Sequence, residues 1–360
     1  MKVLFIIRST SYDIKGGDTF QAIRTANELN KLNVFVDIKR ADESIEYERY
    51  DLLHFFNLTR PADICYHIRH TLIPFVVSPI WVDYSEYDKH HRKGVSGRVF
   101  RFLNANTIEY LKVIARWLAN KDRLITFAYL WKRHQACINE IMDKCALLLP
   151  NSSLEQKKLT RYYKRKSNYE VIPNGIDPVL FTSDPSARKD PWLVLCVARI
   201  EGIKNQLNLI KALNNTSYKL VIIGSPAPNQ LSYYRECKKI AGRNIRFIDH
   251  LAQEELITYY QKAKVHILPS WFETCGLSSL EAAAMGCNIV ITDKGYTREY
   301  YEGYAFYCDP ASPVSIRKAV EKASWSMPAS KLKAKILNQY TWEQAALKTL
   351  AAYKKVLSTV

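Results

Sequence analysis

The sequence predicts an α/β protein built from two Rossmann-like, doubly wound domains, and three observations lead to this fold class. The length of 360 residues suits two domains of ordinary size, and a hydrophobic content of 48 % is enough for two cores. Short apolar runs alternate with helical patterns, which is typical of parallel sheets covered by helices on both faces. The alternation stops at residues 177–190, which are rich in Asp, Ser and Pro and read as a linker, and then begins again.

The elements of the first half are predicted in the following order. A buried strand at 3–7 precedes a helix at 18–30 and a second strand at 34–38. Further short buried strands are predicted at 51–56, 74–79, 145–150 and 170–173. In the second half, the predicted strands are 192–197, 218–223, 244–248, 265–268 and 288–291, with helices at 206–213 and 233–240. No internal repeat interrupts this order.

The net charge of +17 is unusual and unevenly distributed. Residues 89–166 carry 18 Lys and Arg against 5 Asp and Glu, so this basic segment holds most of the excess positive charge. Such a segment predicts an anionic partner, which would be a nucleic acid, an anionic membrane surface or a polyanionic substrate.

Several classes of protein are disfavoured by composition. No apolar run reaches about eighteen residues, so no transmembrane helix is predicted. The chain opens into a buried strand rather than a signal peptide, and its eight cysteines include no Cys-x-x-Cys pair. Reduced, buried thiols in a cytoplasmic protein without a metal site are therefore expected.

The most informative stretch runs from Ser270 to Gly286 and contains two glutamates, Glu273 and Glu281, eight positions apart. A buried strand precedes it and a helix-forming run follows Gly276, so Glu273 is predicted in a strand-to-helix loop and Glu281 about two turns inside the helix. The free backbone N–H groups at the start of that helix suit an anionic or hydroxyl-rich ligand. Taken alone, the two glutamates are equally well read as solvated surface charges.

With its neighbours, this stretch resembles the E-x7-E signature of the family-4 retaining glycosyltransferases, which have the GT-B architecture. Members carry a Pro-Ser strand end, an aromatic residue, Glu, a Gly and a Glu-Ala helix. The matching positions are Pro269-Ser270, Phe272-Glu273, Gly276 and Glu281-Ala282. The resemblance implies two Rossmann-like domains facing a central cleft, and a nucleotide-sugar such as a UDP- or GDP-sugar as donor.

Other parts of the second half support the resemblance. Arg199 and Lys204 match the Arg and Lys with which members hold the donor diphosphate, and a guanidinium with an ammonium suits phosphate oxygens. Read alone, this pair is an exposed cationic loop. The run 173–177, Pro-Asn-Gly-Ile-Asp, matches the family's turn at the domain junction. The helix that begins at Trp342-Glu343 matches a family helix that crosses back onto the first domain. The predicted domains are therefore 1–172 with 343–360, on the acceptor side, and 173–342, which binds the donor.

The first half matches the family more loosely. Gly16 and Gly17 lie between the first strand and the first helix, where family members often have a pair of glycines that approaches the donor phosphates or the acceptor. The alternative interpretation of this pair is a flexible loop. His54 fits a family position on the acceptor side, but a core histidine is as good an interpretation. Many members have a histidine at the end of the later strand at 74–79, and this chain has none there. Asp83 is the candidate polar residue in its place, and His90 and His91 are also within reach of this loop.

A helix is predicted at residues 104–120 within the basic segment. Its apolar face is Ile108, Leu111, Ala115 and Leu118, with Lys112 and Arg116 on another face. Flanking residues are aromatic or cationic: Phe100, Phe102, Trp117, Trp131, Arg98, Arg101, Arg123, Lys132 and Arg133. This composition predicts peripheral binding to an anionic membrane, with a charged helical excursion over the domain core as the alternative.

The resemblance also implies a mechanism. The leaving phosphate accepts the proton of the acceptor, Glu273 contacts the donor sugar, Glu281 accepts hydrogen bonds from the ribose, and the N–H groups of Cys275, Gly276 and Leu277 bind sugar and phosphate. The chain has no Asp-x-Asp motif, so no metal is expected and Arg199 and Lys204 would offset the leaving-group charge. The expected acceptor is a glycan or lipid-linked sugar in cell-surface polysaccharide synthesis.

Two other functions remain open from the sequence. A sugar-nucleotide epimerase of the same fold would share the nucleotide site and act without an acceptor. A nucleic-acid-binding protein would use the basic segment, but no helix-turn-helix, zinc or RNA-binding signature accompanies the charge, so nucleic acid is not the expected partner.

Overall fold

The structure is a computed structural model that describes residues 1–12, 16–119, 123–184 and 186–359. The chain divides into two compact units, which are residues 1–174 with 342–360, and residues 175–341. The predicted boundaries lie at 172/173 and 342/343. Both units are α/β, each with one parallel sheet, so the predicted fold class is confirmed.

The first unit has a five-stranded parallel sheet in the order β2-β1-β3-β4-β5. Its strands are β1 (Lys2–Ile7), β2 (Phe35–Arg40), β3 (Leu52–Phe56), β4 (Phe75–Ser78) and β5 (Leu147–Leu148). Its helices are α1 (Gly17–Lys31), α2 (Pro61–His67), α3 (Gly94–Phe100), α4 (Ala105–Leu118), α5 (Ala128–Lys144), α6 (Ser153–Tyr163) and the last helix of the chain, α14 (Trp342–Leu357). The central strands are buried on both faces because helices cover the sheet on both sides.

The segment 170–173 is not a regular strand, contrary to the prediction. It runs beside β5 and makes backbone hydrogen bonds from Glu170 N to Leu148 O and from Ile172 N to Pro150 O. Pro150 and Pro173 lack the N–H groups that would extend this pairing, so the ladder ends after a single bridge at Tyr169.

The second unit has a six-stranded parallel sheet in the order β11-β10-β9-β6-β7-β8. Its strands are β6 (Asp190–Val197), β7 (Lys219–Ile223), β8 (Ile245–Ile248), β9 (Ala263–Leu268), β10 (Asn288–Thr292) and β11 (Phe306–Cys308). Its helices are α7 (Gln206–Leu213), α8 (Leu231–Ile240), α9 (Gln253–Lys262), α10 (Leu277–Ala284), α11 (Thr297–Tyr301), α12 (Pro313–Trp325) and α13 (Ser330–Gln339). This order is that of a Rossmann sheet, in which the order of connection reverses between β6 and β9.

The predicted linker at 177–190 is part of the second unit rather than a free connection. Phe181 is fully buried and packs its ring against Tyr260 of α9, with ring centroids 6.1 Å apart. β6 already begins at Asp190. The segment was predicted as a linker because most of its residues are polar, although it contains Phe181. Burial of this one aromatic ring is enough to hold the segment against the core. Pro185 lies outside the described residues.

Candidate functional site

The site in the second unit lies where the sheet order places it. Ligands of open α/β sheets bind at the carboxyl ends of the strands, where the order of connection reverses. In this unit that point is between β6 and β9, which are neighbours in the sheet. Arg199 and Lys204 follow β6, and Glu273 follows β9. The three predicted residues therefore come to one edge of the sheet.

Glu273 is a buried carboxylate, 4 % exposed, with two donors on one oxygen. Lys204 Nζ lies 2.6 Å from Glu273 Oε1, and Ser270 Oγ donates to the same oxygen at 2.7 Å. Burial lowers the pKa of Lys204, but the Glu273 carboxylate outweighs burial and holds that pKa above its ordinary value. The site therefore contains a charged ion pair, and the surface-charge interpretation of Glu273 is wrong.

The backbone of Glu273 is held by a turn that the sequence analysis did not identify. Glu273 N donates to Lys294 O at 3.2 Å, and Tyr296 N donates to Glu273 O at 2.9 Å. Between them, Gly295 has φ +102°, and a Cβ at this position would lie 1.9 Å from Glu273 O. Only glycine fits so close to the glutamate. The available signal was a lone glycine shortly after the predicted strand at 288–291.

Lys204 is held just as firmly. The next residue, Asn205, is buried with φ +61°, and its Nδ2 donates to Pro269 O at 2.9 Å and to Pro310 O at 2.8 Å. Trp271 N donates to Ile203 O at 2.9 Å. These bonds tie the loop after β6 to the end of β9, so the Lys204–Glu273 pair is built on two fixed backbones.

Arg199 differs from Lys204. Its side chain is half-buried and makes no hydrogen bond or ion pair with any residue of the described part of the chain. Its backbone oxygen accepts a hydrogen bond from Gln206 Nε2 at 2.9 Å, which positions the residue. A guanidinium without a protein partner beside a Lys–Glu pair can bind an anionic group bidentately.

The start of helix α10, which follows Glu273, is fixed by the glycine that precedes it. Gly276 has φ +68° and caps α10, and a Cβ there would be 3.1 Å from Leu268 Cδ1. The carbonyl of buried Cys275 accepts a hydrogen bond from the Tyr301 hydroxyl at 2.8 Å. Leu277 opens the helix, and the N–H groups of Leu277 and Ser278 have no acceptor inside the helix, whereas Ser279 N donates to Gly276 O at 2.8 Å. They lie at the same edge of the sheet as Arg199.

Glu281 is the fifth residue of α10, about one turn inside the helix rather than the predicted two. The helix begins at Leu277, as predicted, but the five residues from Leu277 to Glu281 make little more than one turn. Its carboxylate accepts hydrogen bonds from Tyr260 Oη at 2.9 Å and Gln253 Nε2 at 2.7 Å. Burial and the neighbouring Glu281 carboxylate raise the pKa of Tyr260 well above its ordinary value, so the phenol remains a donor. Both residues of α9 were missed by the sequence analysis.

The first unit has a polar cluster at its own reversal point, between β1 and β3. Asp18 Oδ2 accepts hydrogen bonds from Arg8 Nε and Asn57 Nδ2, both at 2.9 Å. Burial raises the pKa of Asp18, but Arg8 and Asn57 outweigh it and hold that pKa below its ordinary value. Gly16 caps α1 and Gly17 begins it, so the predicted glycines adjoin this cluster. Arg8 and Asn57 were not predicted.

His54 is a core histidine, which corrects its predicted place on the acceptor side. It is 1 % exposed, Nδ1 is 2.6 Å from Tyr353 Oη, and Nε2 is 2.9 Å from Ser78 Oγ. Burial lowers its pKa to about 3, so the ring is neutral. With both nitrogens paired inside the unit, His54 connects β3 and β4 to α14 and has no atom left for a substrate.

Asp83 lines a small depression of the first unit. Trp81, Tyr84 and Tyr162 line the same depression, together with the carboxylate of Glu109. Asp83 Oδ1 accepts a hydrogen bond from Ser85 N at 3.0 Å, which fixes the turn that carries it. Carboxylates among aromatic rings suit a hydroxyl-bearing ligand, so Asp83 stays a candidate for the acceptor side.

The helix predicted at 104–120 is α4, with Asn104 as its cap; Asn120 is outside the described residues. Its predicted apolar face is divided, because Ile108 is buried against the protein. Lys112 turns inward and pairs with the buried Asp88 and with Glu109, whereas Leu111 and Leu118 are exposed. An ion pair with a buried carboxylate outweighs the exposure of two leucines, because an unpaired buried charge costs more. Arg116 is half-buried.

No helix in the described part of the chain is long and apolar enough to cross a membrane. The eight cysteines are all free, and every one except the half-buried Cys145 is buried. Among the described residues, no three His, Cys, Asp or Glu side chains form a group that could hold a metal ion.

Solved structures show the fold of the whole chain. Sucrose-phosphate synthase from Thermosynechococcus elongatus superimposes with a TM-score of 0.76 over 100 % of both chains, at 14 % identity. Anabaena HepE in complex with UDP and glucose gives 0.70 over 99 % of this chain and 100 % of that one, at 15 % identity. The fold of this chain is therefore the GT-B fold of glycosyltransferases.

The sequence comparisons point to one family within this class. Residues 181–334 match the model of the glycosyl transferases group 1. An uncharacterised glycosyltransferase of Methanocaldococcus jannaschii is 25 % identical over 59 % of this chain and 60 % of its own length. A human (Homo sapiens) phosphatidylinositol N-acetylglucosaminyltransferase chain is 28 % identical over 52 % of this chain, which spans 41 % of that relative. The resemblance stated from the motif is thus confirmed.

Proposed function

We propose that this chain transfers a sugar from a nucleotide-sugar donor to a glycan or lipid-linked acceptor, with retention of the anomeric configuration. The observation that carries the proposal is the buried Glu273–Lys204 pair at the reversal point of a Rossmann sheet, beside the unpartnered Arg199 guanidinium. Solved structures of the same fold bind UDP, and one binds UDP-glucose, which supports a nucleotide-sugar as donor.

Each residue has a role that follows from its surroundings. Arg199 and Lys204 bind the donor diphosphate and offset the charge that develops on it as the sugar leaves. A phosphate oxygen joins Glu273 as an acceptor for Lys204, which leaves the carboxylate with its Ser270 bond and available to the sugar hydroxyls. Glu281, oriented by Tyr260 and Gln253, accepts hydrogen bonds from the ribose.

Retention and metal independence are parts of the same proposal. The departing phosphate takes the proton of the acceptor hydroxyl while the new bond forms on the face that the phosphate leaves. No metal is assigned to the diphosphate, because the chain has no Asp-x-Asp motif and two cations already lie at that edge. We expect donor turnover to be unchanged after treatment with EDTA. Loss of turnover that manganese or magnesium restores would contradict this part.

The acceptor belongs to the first unit in this proposal. The Arg8–Asp18–Asn57 cluster and the depression around Asp83 both offer fixed polar groups for sugar hydroxyls. Relatives act on D-inositol 3-phosphate and on phosphatidylinositol, as their names state, so hydroxyl-rich acceptors with or without lipid occur among them. A role in the synthesis of cell-surface polysaccharide at the cytoplasmic face of the membrane fits such acceptors.

Peripheral membrane binding is proposed on most of the residues that the sequence predicted, but without Lys112, which pairs with the buried Asp88. Exposed apolar side chains cluster along residues 95–131, and Phe102 and Trp131 are each 86 % exposed. Exposed cations lie among them: Lys93, Arg98, Arg101, Arg123, Lys132 and Arg133. Aromatic side chains that enter the headgroup region, surrounded by cations, are typical of proteins that bind anionic lipid.

Co-sedimentation with vesicles containing anionic lipid tests the membrane proposal. We expect the wild type to pellet at low salt, and the double variant Phe102→Ser/Trp131→Ser to stay in the supernatant because its apolar anchors are gone. Trp325→Ser is the matched control, since it removes an exposed tryptophan of the second unit. If the wild type stays in the supernatant, the basic segment serves a soluble acceptor instead.

A thermal-shift screen tests the main proposal. UDP-, GDP- and ADP-sugars are added separately, and a ligand of the folded protein raises its melting temperature. The donor so identified is then incubated with and without acceptor, and the products are separated. Conversion of the sugar without an acceptor would replace the proposal by the epimerase alternative, and failure of all three nucleotide classes would overturn it.

A further inference from the structure

A second candidate site lies at the opposite edge of the sheet in the second unit. Trp192 is the third residue of β6, Tyr218 immediately precedes β7, and Trp325 is the last residue of α12. These three side chains line an open depression. Arg199 lies seven positions after Trp192, two residues beyond the end of β6, and an extended chain of that length spans roughly 23 Å, so the depression is separate from the donor site.

The depression exposes flat aromatic surface. The ring centroids of Trp192 and Trp325 are 5.2 Å apart with planes at 86°, and Trp192 lies 5.5 Å from Tyr218 at 47°. Trp325 is 65 % exposed and Trp192 is 38 % exposed. The two indoles support each other and leave ring surface open to solvent. Several exposed aromatic rings in contact with one another are typical of an interaction site.

Polar groups surround the rings. Arg317 Nε and Glu321 Oε1 form an ion pair at 2.8 Å across one turn of α12, with both side chains about half exposed. Asn215, with φ +55°, presents an exposed amide on the other side. Guanidinium, carboxylate and amide are planar groups that can each make two hydrogen bonds to neighbouring hydroxyls.

The chemistry of the lining selects one class of ligand. Glu321 neutralises Arg317, so the depression has no cation left over for a phosphate or an acidic ligand. The polar rim disfavours an acyl chain, since burying these groups without partners costs free energy. A neutral sugar ring fits both features, because one face carries apolar C–H groups and its edge carries hydroxyls.

We propose that the Trp192–Trp325 depression is a carbohydrate-binding site that holds a neutral oligosaccharide chain away from the donor site. The inference deepens the proposed function and rests on it for one point, that the acceptor or product is a glycan long enough to be held at a distance. Trp325 stacks on a sugar ring, and Arg317, Glu321 and Asn215 bind its hydroxyls.

Fluorine NMR of protein labelled with 5-fluorotryptophan tests the site directly. The seven tryptophan signals are assigned by single substitutions. The probes are hexasaccharides of glucose, N-acetylglucosamine, mannose and galactose at millimolar concentration. We expect at least one to shift the Trp192 and Trp325 signals while the Trp271 signal, next to the donor site, stays in place. No shift at Trp192 and Trp325 with any of the four overturns the proposal.

Two substitutions of Trp325 distinguish stacking of its ring on a sugar from an effect on the structure of the protein. Trp325→Ala should weaken binding of the active hexasaccharide at least about tenfold, while Trp325→Phe, which keeps a ring, should stay within about threefold of wild type. Trp131→Ala is the matched control because Trp131 is an exposed tryptophan of the first unit. Equal binding by Trp325→Ala and the wild type would overturn the assignment.

The two proposals fail in different ways. Trp325→Ala should retain the melting-temperature increase with the nucleotide-sugar, because the two sites lie at opposite edges of the sheet. Nucleotide binding without any oligosaccharide effect would remove the carbohydrate site alone. Oligosaccharide binding in a protein that binds no nucleotide would overturn the proposed transfer and leave the carbohydrate site in place.

Discussion

At the scale of single residues, the proposed donor site depends on a glutamate and a lysine that neutralise each other. Glu273 is buried, Lys204 and Ser270 contact one of its oxygens, and Lys204 keeps its proton because the carboxylate is 2.6 Å away. Substituting either Glu273 or Lys204 would leave the charge of the other side chain buried without a counterion. The site is therefore held in a charged form that a phosphate can enter without a change of protonation.

The first prediction concerns this carboxylate. Glu273→Gln keeps the size of the side chain and an oxygen for Ser270 but removes the negative charge. Donor turnover, measured as nucleoside diphosphate release, should fall by roughly two or more orders of magnitude. The melting temperature should fall, because the Lys204 ammonium loses its carboxylate partner, so circular dichroism at the assay temperature must show that the variant is folded. Turnover equal to that of the wild type would remove Glu273 from the mechanism.

The second prediction concerns Arg199, whose guanidinium has no partner in the described part of the protein. Arg199→Ala should weaken binding of free nucleoside diphosphate by about 1.5–3 kcal/mol, measured by calorimetry, because a charged hydrogen-bonded contact is lost. Arg243→Ala is the control, since this exposed arginine precedes β8 and lies at the other edge of the sheet. An equal loss in both variants would mean a general charge effect.

At the scale of elements, the loop after β10 supports the loop after β9. The hydrogen bonds of Glu273 N and Glu273 O to residues 294 and 296 form a short bridge, and Gly295 allows the two backbones to approach. Any side chain at Gly295 would have to displace the glutamate backbone. The position of Glu273 is thus set by a residue that lies outside the motif in sequence.

The third prediction follows from this contact. Gly295→Ala should lower both the melting temperature and donor turnover, because a Cβ 1.9 Å from Glu273 O and a φ of +102° are both unfavourable. Gly303→Ala is a matched control, since a Cβ there meets no atom within 4 Å. Wild-type turnover in Gly295→Ala would show that Glu273 does not depend on this bridge.

At the scale of the whole molecule, buried neutral histidines are unevenly divided between the two units. Burial lowers the pKa of His54 and His266 to about 3, and that of His67 and His134 to about 4. Three of these four belong to the first unit. That unit also contains Glu140, whose pKa is lowered to about 2 chiefly by its hydrogen bond from Arg69.

The fourth prediction is that the first unit loses stability on mild acidification. A histidine whose pKa is lower in the folded state than in the unfolded state binds protons more readily in the unfolded state. Its contribution to the free energy of unfolding is therefore complete above pH 6.5, and it falls as the pH drops towards the pKa of the folded state. Each such histidine gives a slope of up to about 1.4 kcal/mol per pH unit. Urea unfolding followed by circular dichroism at pH 7.5, 6 and 5 measures the effect. Stability that stays constant or rises towards pH 5 would contradict it.

A substitution isolates the contribution of one histidine to this slope. His54→Gln removes the buried imidazole, and the slope of unfolding free energy against pH should become shallower. His250→Gln, at an exposed position of the second unit, should leave the slope unchanged. Because the control changes the same residue type, any difference reports on burial.

The sequence alone was enough to predict the two Rossmann-like sheets, the glutamate motif and the Arg199–Lys204 loop. These features are local: a buried strand is a short apolar run, and the motif lies on one strand, one loop and one helix. Local signals left other points open. The apolar spacing of α4 is helical as predicted, but periodicity does not say which face meets the protein, and only the structure shows that Lys112 points inward.

Only the tertiary structure decided which distant residues complete the site. Lys204 pairs with Glu273 across 69 positions, Gly295 supports Glu273 from another strand, and Tyr260 with Gln253 orients Glu281 from α9. No spacing in the sequence reports such contacts, because they depend on the order in which parallel strands pair. The sequence by itself determined which chemical groups the proposed donor site contains. The pairing of β6 with β9 decided its geometry, because a parallel sheet brings together the carboxyl ends of strands far apart in the chain.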